Sequence, residues 1–418
     1  MPTPSPAEQS PKAERVLGDL YVKLLPGSKQ FLPTFILPAL LPICMLGAAY
    51  GDQAVVSAAS LLPQQLVAQI PMAQQLRYLY TEHTELTSAV ICAALALPGA
   101  LFAFVVMPAL DLLLGRDLRV ETPEELAAAA QDKSYRGMLY KYTVAHWSVL
   151  IAACGLLAGQ DIHPLPLLAL TLSMGAMGGS LFTVSHELLH GTTGKDRLLA
   201  NVLLVTVGYM HWTSSHLVHH RKVATLEDPA SARLGESLYS FVPRSVIGNV
   251  RDALAAEMLR LKLRHYPVAS LHNRMLWWTA APLGLLTAVG YSCGPSAFCF
   301  ALGQAITSVI LLCAVDYVEH YGLQREKTAN NRYEKVSVHH SWNANWLFTN
   351  SVIFRLQRHA DHHLDGSKSF QLLRDAPEAP QLPASYPAMM LLALLPAAFF
   401  RVMDPRVRAY TEQLDKRR

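Results

Sequence analysis

Charge is what this sequence has least of. Asp, Glu, Lys and Arg make up 16% of its 418 residues and apolar residues 51%, whereas a soluble domain carries about 25% charge. Surface that needs so little charge faces lipid, so the composition points to a membrane protein. The few charges nearly balance, at +4, and no nucleic-acid-binding motif accompanies them, which excludes DNA and RNA as partners. Cysteine is scarce too. Cys44, Cys92, Cys154, Cys293, Cys299 and Cys313 all lie in apolar stretches, and no two have the C-x-x-C spacing. That excludes a disulfide framework, a zinc ribbon and a cysteine-held iron centre, and leaves buried, reduced thiols. There is no glycine-rich dinucleotide fingerprint and no internal repeat. Residues 1–14 are polar and Pro-rich without a following apolar cleavage region, so the reading is a short disordered tail and no signal peptide.

What the sequence has is long apolar runs. A helix needs about 20 apolar residues to span a bilayer. Six runs meet that demand, at 31–50, 86–114, 142–157, 165–184, 276–291 and 297–314. The expected fold class is therefore all-α, a multi-pass membrane protein of about six transmembrane helices. Runs at 198–209 and 389–400 are too short and read as buried or interfacial helices. Residues 55–72, with Pro63 and Pro71, read as an interfacial or re-entrant link. Basic residues gather in 116–141, 221–274, 324–374 and 416–418, and with six spans all of these fall on one side, the cytosol by the positive-inside rule. Gly175 and Gly179, with Gly178 and Ser180, are small residues at a spacing that lets membrane helices approach closely.

The seventeen histidines are not scattered. His186 and His190 form one cluster and His216, His219 and His220 a second. His320 stands alone after Glu319, and His359, His362 and His363 form the last. On a helix, residues at i, i+3 and i+4 share a face, so each cluster offers two or three imidazoles in one direction, at the cytosolic ends of the fourth and sixth spans. Imidazole suits iron, zinc, copper and nickel, and the boxes hold few carboxylates, which implies a site built of histidine. His83, His146, His163, His265 and His272 are isolated and read as structural or exposed. His339 and His340 lack box spacing and read as hydrogen-bonding residues, and Glu227 and Asp228 as loop architecture.

These motifs resemble the integral-membrane alkane hydroxylases (alkane 1-monooxygenases), related to xylene monooxygenase and more distantly to membrane fatty-acid desaturases. The strings that carry the resemblance are His186-Glu-Leu-Leu-His190, Val223-Ala-Thr-Leu-Glu-Asp-Pro-Ala-Ser231, Tyr317-Val-Glu-His-Tyr-Gly-Leu323, His340-Ser-Trp-Asn343, Leu356-Gln-Arg-His-Ala-Asp-His-His363 and Ala379-Pro-Gln-Leu-Pro383. The resemblance implies two non-heme iron ions held by His186, His190, His216, His219, His220, His320, His359, His362 and His363. Glu187, Asp316, Glu319, Asn343 and Asp361 are candidates to hold the outer ring nitrogens. Three positions depart from the family pattern. His216 stands three residues before His219 where the family usually has four, Asp316 replaces Asn, and Trp346 replaces His; His211 is a candidate substitute ligand.

The domains expected are a polar tail at 1–30, a membrane di-iron oxygenase domain at 31–408 and a basic tail at 409–418. The activity implied is R–CH3 + O2 + two electrons + two protons → R–CH2OH + H2O on a medium or long apolar chain. Electrons would come from a rubredoxin and its NAD(P)H-dependent reductase, and the host would be a bacterial inner membrane or the endoplasmic reticulum. Two rivals remain at this stage. One is a fatty-acyl desaturase or lipid hydroxylase with the same chemistry. The other is a histidine-rich metal transporter, which would need polar residues along its spans, where this chain has almost none.

Overall fold

The computed structural model describes residues 12–61 and 84–416. Among them every regular element is helical, with three isolated β-bridges besides. This is the all-α architecture that long apolar runs demand, since a helix satisfies its own backbone in lipid.

The chain opens with α1 (Lys12–Leu24) and a 3-10 stretch (Gly27–Phe35) that feeds α2 (Ile36–Leu61). Next come α3 (Thr84–Ala96) and α4 (Pro98–Leu114), bent 43° to one another at the break before Pro98. After α5 (Pro123–Gln131) come two long helices, α6 (Lys133–Leu157) and α7 (Pro164–His190). The short α8 (Gly194–Leu204) is set off from α7 by a Thr193–Asp196 capping box. It leads to α9 (Trp212–Lys222) and the long α10 (Leu238–Leu263). The hairpin α11 (Arg274–Cys293) and α12 (Pro295–His320) follows, then the short α13 (Leu347–Val352) and α14 (His359–Leu364), and finally α15 (Tyr386–Ala393) and α16 (Pro396–Asp415).

Among the described residues, three helices are long and apolar enough to cross a membrane: Gly27–Ala54, Pro164–His190 and Pro295–His320. The bent pair α3–α4 makes a fourth if it is counted as one span. The third and fifth expected spans are present as continuous helices of 25 and 20 residues, α6 and α11, but do not reach the same apolarity. The sixfold count therefore stands as an expectation. Neither α8 nor α15 is long enough to cross, as their short runs implied.

Two stretches read as tails contain helix. Within 1–30, Val16, Leu20 and Leu24 recur at helical spacing in α1, and Gly18 meets the Leu114 carbonyl so closely that a Cβ there would lie 2.7 Å from it. Within 409–418, α16 continues to Asp415, and the Tyr410 hydroxyl donates to the Glu378 carbonyl. Residues 55–61 extend α2; the rest of the 55–72 link and His83 lie outside the described residues.

The centre of the molecule is the pair α7–α12. Both helices end in a site histidine, His190 and His320. They lie close because small residues face each other. A Cβ on Gly175 would stand 2.3 Å from Thr307 Cγ2, and one on Gly178 would stand 1.9 Å from Ser308 Oγ. Gly179, expected to share this contact, faces open space. On α7 the close approach thus rests on Gly175 and Gly178, three apart, and α12 adds Gly303 against Thr171. A valine at Gly178 is expected to cost about 1–3 kcal/mol or more through overpacking, read as a lowered thermal midpoint of the purified protein. Gly179→Val should stay within about 0.5 kcal/mol. Equal behaviour of the two variants would refute this packing.

Candidate metal centre

Four helix ends and helices converge at one end of the α7–α12 pair. His186 and His190 come from the last turn of α7, His216, His219 and His220 from α9, His320 from the end of α12, and His359, His362 and His363 from α14. Gly322, at φ 72°, takes the left-handed turn that directs the chain away just after His320. All nine expected histidines are brought together. They fall into two groups, His186, His190, His216, His220 and His362 in one and His219, His320, His359 and His363 in the other.

The division does not follow the boxes. Neighbours on a helix diverge by about 100°, so adjacent histidines serve different groups. In α9 the i, i+4 pair His216 and His220 joins the five-histidine group and His219 joins the four. In α14 the i, i+4 pair His359 and His363 joins the four and His362 joins the five. The expectation that each box faces one way is corrected accordingly. The two groups abut, with the His220 and His363 rings 4.5 Å apart. The three-residue spacing before His219, the departure from the family pattern, gives α9 the same spacing as α14.

The donor atoms themselves test whether metal fits. In the first group, Nε2 of His190 lies 3.0 Å from Nε2 of His216, which lies 3.1 Å from that of His220, which lies 3.1 Å from that of His362. In the second, His359 Nε2 lies 2.9 Å from His363 Nε2 and 3.3 Å from His320 Nε2. A ring nitrogen has one in-plane site, either a lone pair or an N–H. Nε2 of His216 and of His220 each face two others and cannot hydrogen-bond both. Nitrogens about 2.0–2.1 Å from a shared ion, at angles of about 90–110°, would lie about 2.9–3.4 Å apart. His186 Nε2 is buried with no hydrogen-bond partner. Burial, and then the neighbouring imidazoles, hold His216, His220, His359, His362 and His363 below the usual imidazole range. They are neutral at neutral pH, the form that binds metal.

The surrounding carboxylates are arranged differently from the sequence expectation. The strongest contact is one assigned to loop architecture. Asp228 Oδ2 accepts from His219 Nδ1 at 2.8 Å and from Ser231 Oγ at 2.6 Å, fully buried. Burial alone would lower His219, but the Asp228 carboxylate outweighs it and holds this imidazole above its ordinary value. Glu319 places Oε2 3.3 Å from His359 Nε2, the nitrogen that faces the group, so it points into the centre and not at an outer nitrogen. Glu187 stands 3.6 Å from His186 Nδ1, beyond hydrogen-bond reach, and accepts from the Phe370 amide. Asp316 is buried one turn before His320 and makes no hydrogen bond to a site histidine among the described residues. Asp361 is taken by Lys368 and the Arg374 amide, and Asn343 donates to Asp375. Both fix loops.

His211 joins neither group. Its ring packs 4.3 Å from that of Tyr209, and burial lowers its pKa to about 4. His339 and His340 bond to Tyr410 and Glu334. Trp346 lies under the Arg116 guanidinium. Trp212, unremarked in the sequence, packs its ring 4.6 Å from that of His216 and 6.4 Å from that of His186.

A second arrangement missed in the sequence braces α14. Arg358, fully buried next to His359, donates to Asp117 Oδ2 at 2.9 Å, to Asn345 Oδ1 at 3.0 Å and to the Leu373 carbonyl at 2.6 Å. Asp117 also takes Arg119 through both oxygens at 2.7 Å, and Arg355 pairs with Glu121 at 2.7 Å. Burial would raise Asp117, yet Arg119, Arg358 and Arg355 hold it well below the usual carboxylate range. Burial, and then Arg358, lower Arg355 to about 10. The chain reaches Arg358 through Phe354 and Arg355, both left-handed at φ 52° and 55°. Such a conformation persists only when its surroundings enforce it.

Comparison with known proteins places this geometry. The family described as fatty acid desaturase matches residues 162–393. Alkane 1-monooxygenase 1 of Pseudomonas aeruginosa is 39% identical over 73% of this chain and 81% of its own. Alkane 1-monooxygenase of Acinetobacter baylyi is 34% identical over 77% of this chain and 79% of its own. The hydroxylase component of xylene/toluene monooxygenase from Pseudomonas putida is 27% identical over 60% and 67%.

Proposed function

Because the chain belongs to the alkane 1-monooxygenase family, we propose that its nine gathered histidines hold two iron ions, with which this membrane enzyme hydroxylates the terminal carbon of a medium or long alkane or similar apolar chain. The observation that carries the reading is the pair of adjoining five- and four-histidine groups, whose donor nitrogens stand at ligand spacing. No acid or base in a protein is strong enough for an unactivated C–H bond. The bound metal supplies that oxidation with O2, two electrons and two protons, and the protein supplies aim and a dry pocket.

The chain's own residues have definable tasks. His186, His190, His216, His220 and His362 would hold one ion, and His219, His320, His359 and His363 the other. Asp228 fixes the ring and tautomer of His219. Glu319 offers a carboxylate to the four-histidine ion. Trp212 walls the five-histidine group with an apolar ring. The site's position at the ends of two apolar helices suits a substrate that arrives through membrane lipid. The basic loops favour a site facing the cytosol of a bacterial inner membrane or the endoplasmic reticulum. Electrons would arrive there from a rubredoxin and its NAD(P)H-dependent reductase.

The test is gas chromatography–mass spectrometry on membranes containing the protein, supplied with octane or hexadecane and a rubredoxin system. Wild type is expected to form the primary alcohol, and to stop when the rubredoxin is left out. His362→Ala is expected to lose at least about 99% of the activity, since a ligand is gone. New unsaturation in the membrane lipids without any alcohol would favour a desaturase, the reading that the relatives do not support.

A further inference from the structure

A groove of about 920 Å³ runs between α6, α11 and α12, within the size range of ligand pockets. It exists because α11 is loosely seated, with Trp278 its one buried side chain. Residues from Met275 to Cys293 line it, almost the whole of α11, or about 28 Å of helix. Leu283 and Ile306, both more than half exposed, stand at its open side.

The lining is mostly apolar, and two of its polar side chains, Gln304 and His211, carry buried atoms without a partner. Gln304 is fully buried on α12, a candidate membrane span. Its Nε2 donates to the carbonyls of Thr206 at 2.7 Å and Ala301 at 3.1 Å, which fixes the amide orientation, and its Oε1 accepts from nothing. His211 also lines the groove, and its Nε2 has no partner either. An unsatisfied polar group costs free energy in an apolar medium, and a polar side chain within a span marks a functional site by default.

We propose that this groove binds a long-chain primary alcohol, with Gln304 Oε1 accepting the hydroxyl hydrogen. The chemistry selects the occupant. An alkane has no donor, and the ester carbonyls of a lipid only accept, whereas a hydroxyl can donate to Gln304 Oε1. Gln304 Oε1 is buried, so the hydroxyl reaches it once a lining side chain turns aside, a rotamer change of the kind common on binding, while Gln304 itself stays held by its two carbonyls. The location fits the product of the proposed hydroxylation, on which the choice of alcohol rests. His211 adjoins Trp212, whose ring packs on His186 and His216. A residue that lines the groove is thus the sequence neighbour of one that walls the metal centre.

Trp147 and Trp278 line the groove and report on it without turnover. The protein in lipid nanodiscs would be titrated with terminally brominated dodecanol or with bromododecane, compared at equal mole fraction in the bilayer, and quenching of tryptophan fluorescence recorded. The alcohol is expected to quench at roughly 3- to 10-fold lower mole fraction, the worth of one buried hydrogen bond. Gln304→Leu should erase that preference and leave the bromoalkane titration unchanged. Ala305→Phe, which fills the groove and leaves Gln304 in place, should abolish saturable quenching by both and decides the matter if Gln304→Leu does not fold. Equal quenching by the two probes in wild type, or alcohol quenching that survives Ala305→Phe, would overturn the proposal. The hydroxylation assay separates the two readings. Alcohol formation without groove preference sinks the groove alone, and groove preference without alcohol formation sinks the proposed function alone.

Discussion

In the proposed two-ion site, Asp228→Ala is expected to cost one of the two ions. Asp228 reaches no ion itself; it holds His219 Nδ1 at 2.8 Å and is in turn fixed by Ser231 at 2.6 Å. Loss of such a partner typically lowers metal affinity by about 10–100-fold, because the ring is no longer held in one tautomer and orientation. After dialysis against a chelator at a concentration that leaves wild type with two equivalents, Asp228→Ala should retain about one, with hydroxylation lost in parallel. Asp228→Asn keeps the shape and an acceptor oxygen and should fall between. Elemental analysis decides it. Two full equivalents in Asp228→Ala under the same chelator would show that His219 needs no such support.

The second large effect concerns a residue with no part in the chemistry. Asp117→Ala leaves buried Arg358 with only the more distant Glu121 carboxylate, at 3.7 Å and shared with Arg355, and breaking a buried pair from one side costs about 3–5 kcal/mol. Arg358 immediately precedes His359, so the loss also loosens the four-histidine group. The double variant Asp117→Leu/Arg358→Met removes both charges and should recover much of the lost stability, measured as the thermal midpoint in detergent. Failure to recover would mean that the hydrogen bonds of Arg358 to Asn345 and Leu373 matter more than charge balance.

The pH dependence follows from the same contact. The folded Asp117 carboxyl is held below its unfolded value, so the stability it confers is fully present above the unfolded pKa of about 3.9. It is lost as pH falls through the lower, folded value. The gap between wild type and Asp117→Asn should therefore stay constant from neutral pH down to about pH 5 and close only in stronger acid. A gap that closes near pH 6 would assign the effect to another group.

That the nine histidines would gather was legible because imidazoles at helical spacing are a rare pattern with a direct physical meaning. What spacing could not give was their partition. That depends on how α9 and α14 are rotated against each other, which only tertiary packing sets. The supporting groups were the least legible. Asp361 and Glu187 stand beside clustered histidines in sequence yet accept their hydrogen bonds from elsewhere, whereas Asp228, nine residues from His219, folds back onto it. Proximity in sequence favours the wrong carboxylates because neighbours on a helix point away from one another. The long apolar helices were readable from composition. The inner half of the N-terminal stretch was not, since a short helix docked through Gly18 on Leu114 and Tyr21 on Phe348 leaves little mark on hydropathy.

The contact of Gly178 with Ser308 has a consequence at a distance. His186 lies eight residues along α7 from Gly178, and His320 lies twelve along α12 from Ser308, about 12 and 18 Å of helix. The two helices act as long arms pivoting at a common point, and a tilt of about 5° there would swing His320 by roughly 1.5 Å. A metal constellation tolerates about 0.5 Å. The alignment of the two histidine groups is thus set well away from them, where a glycine without a side chain meets a serine.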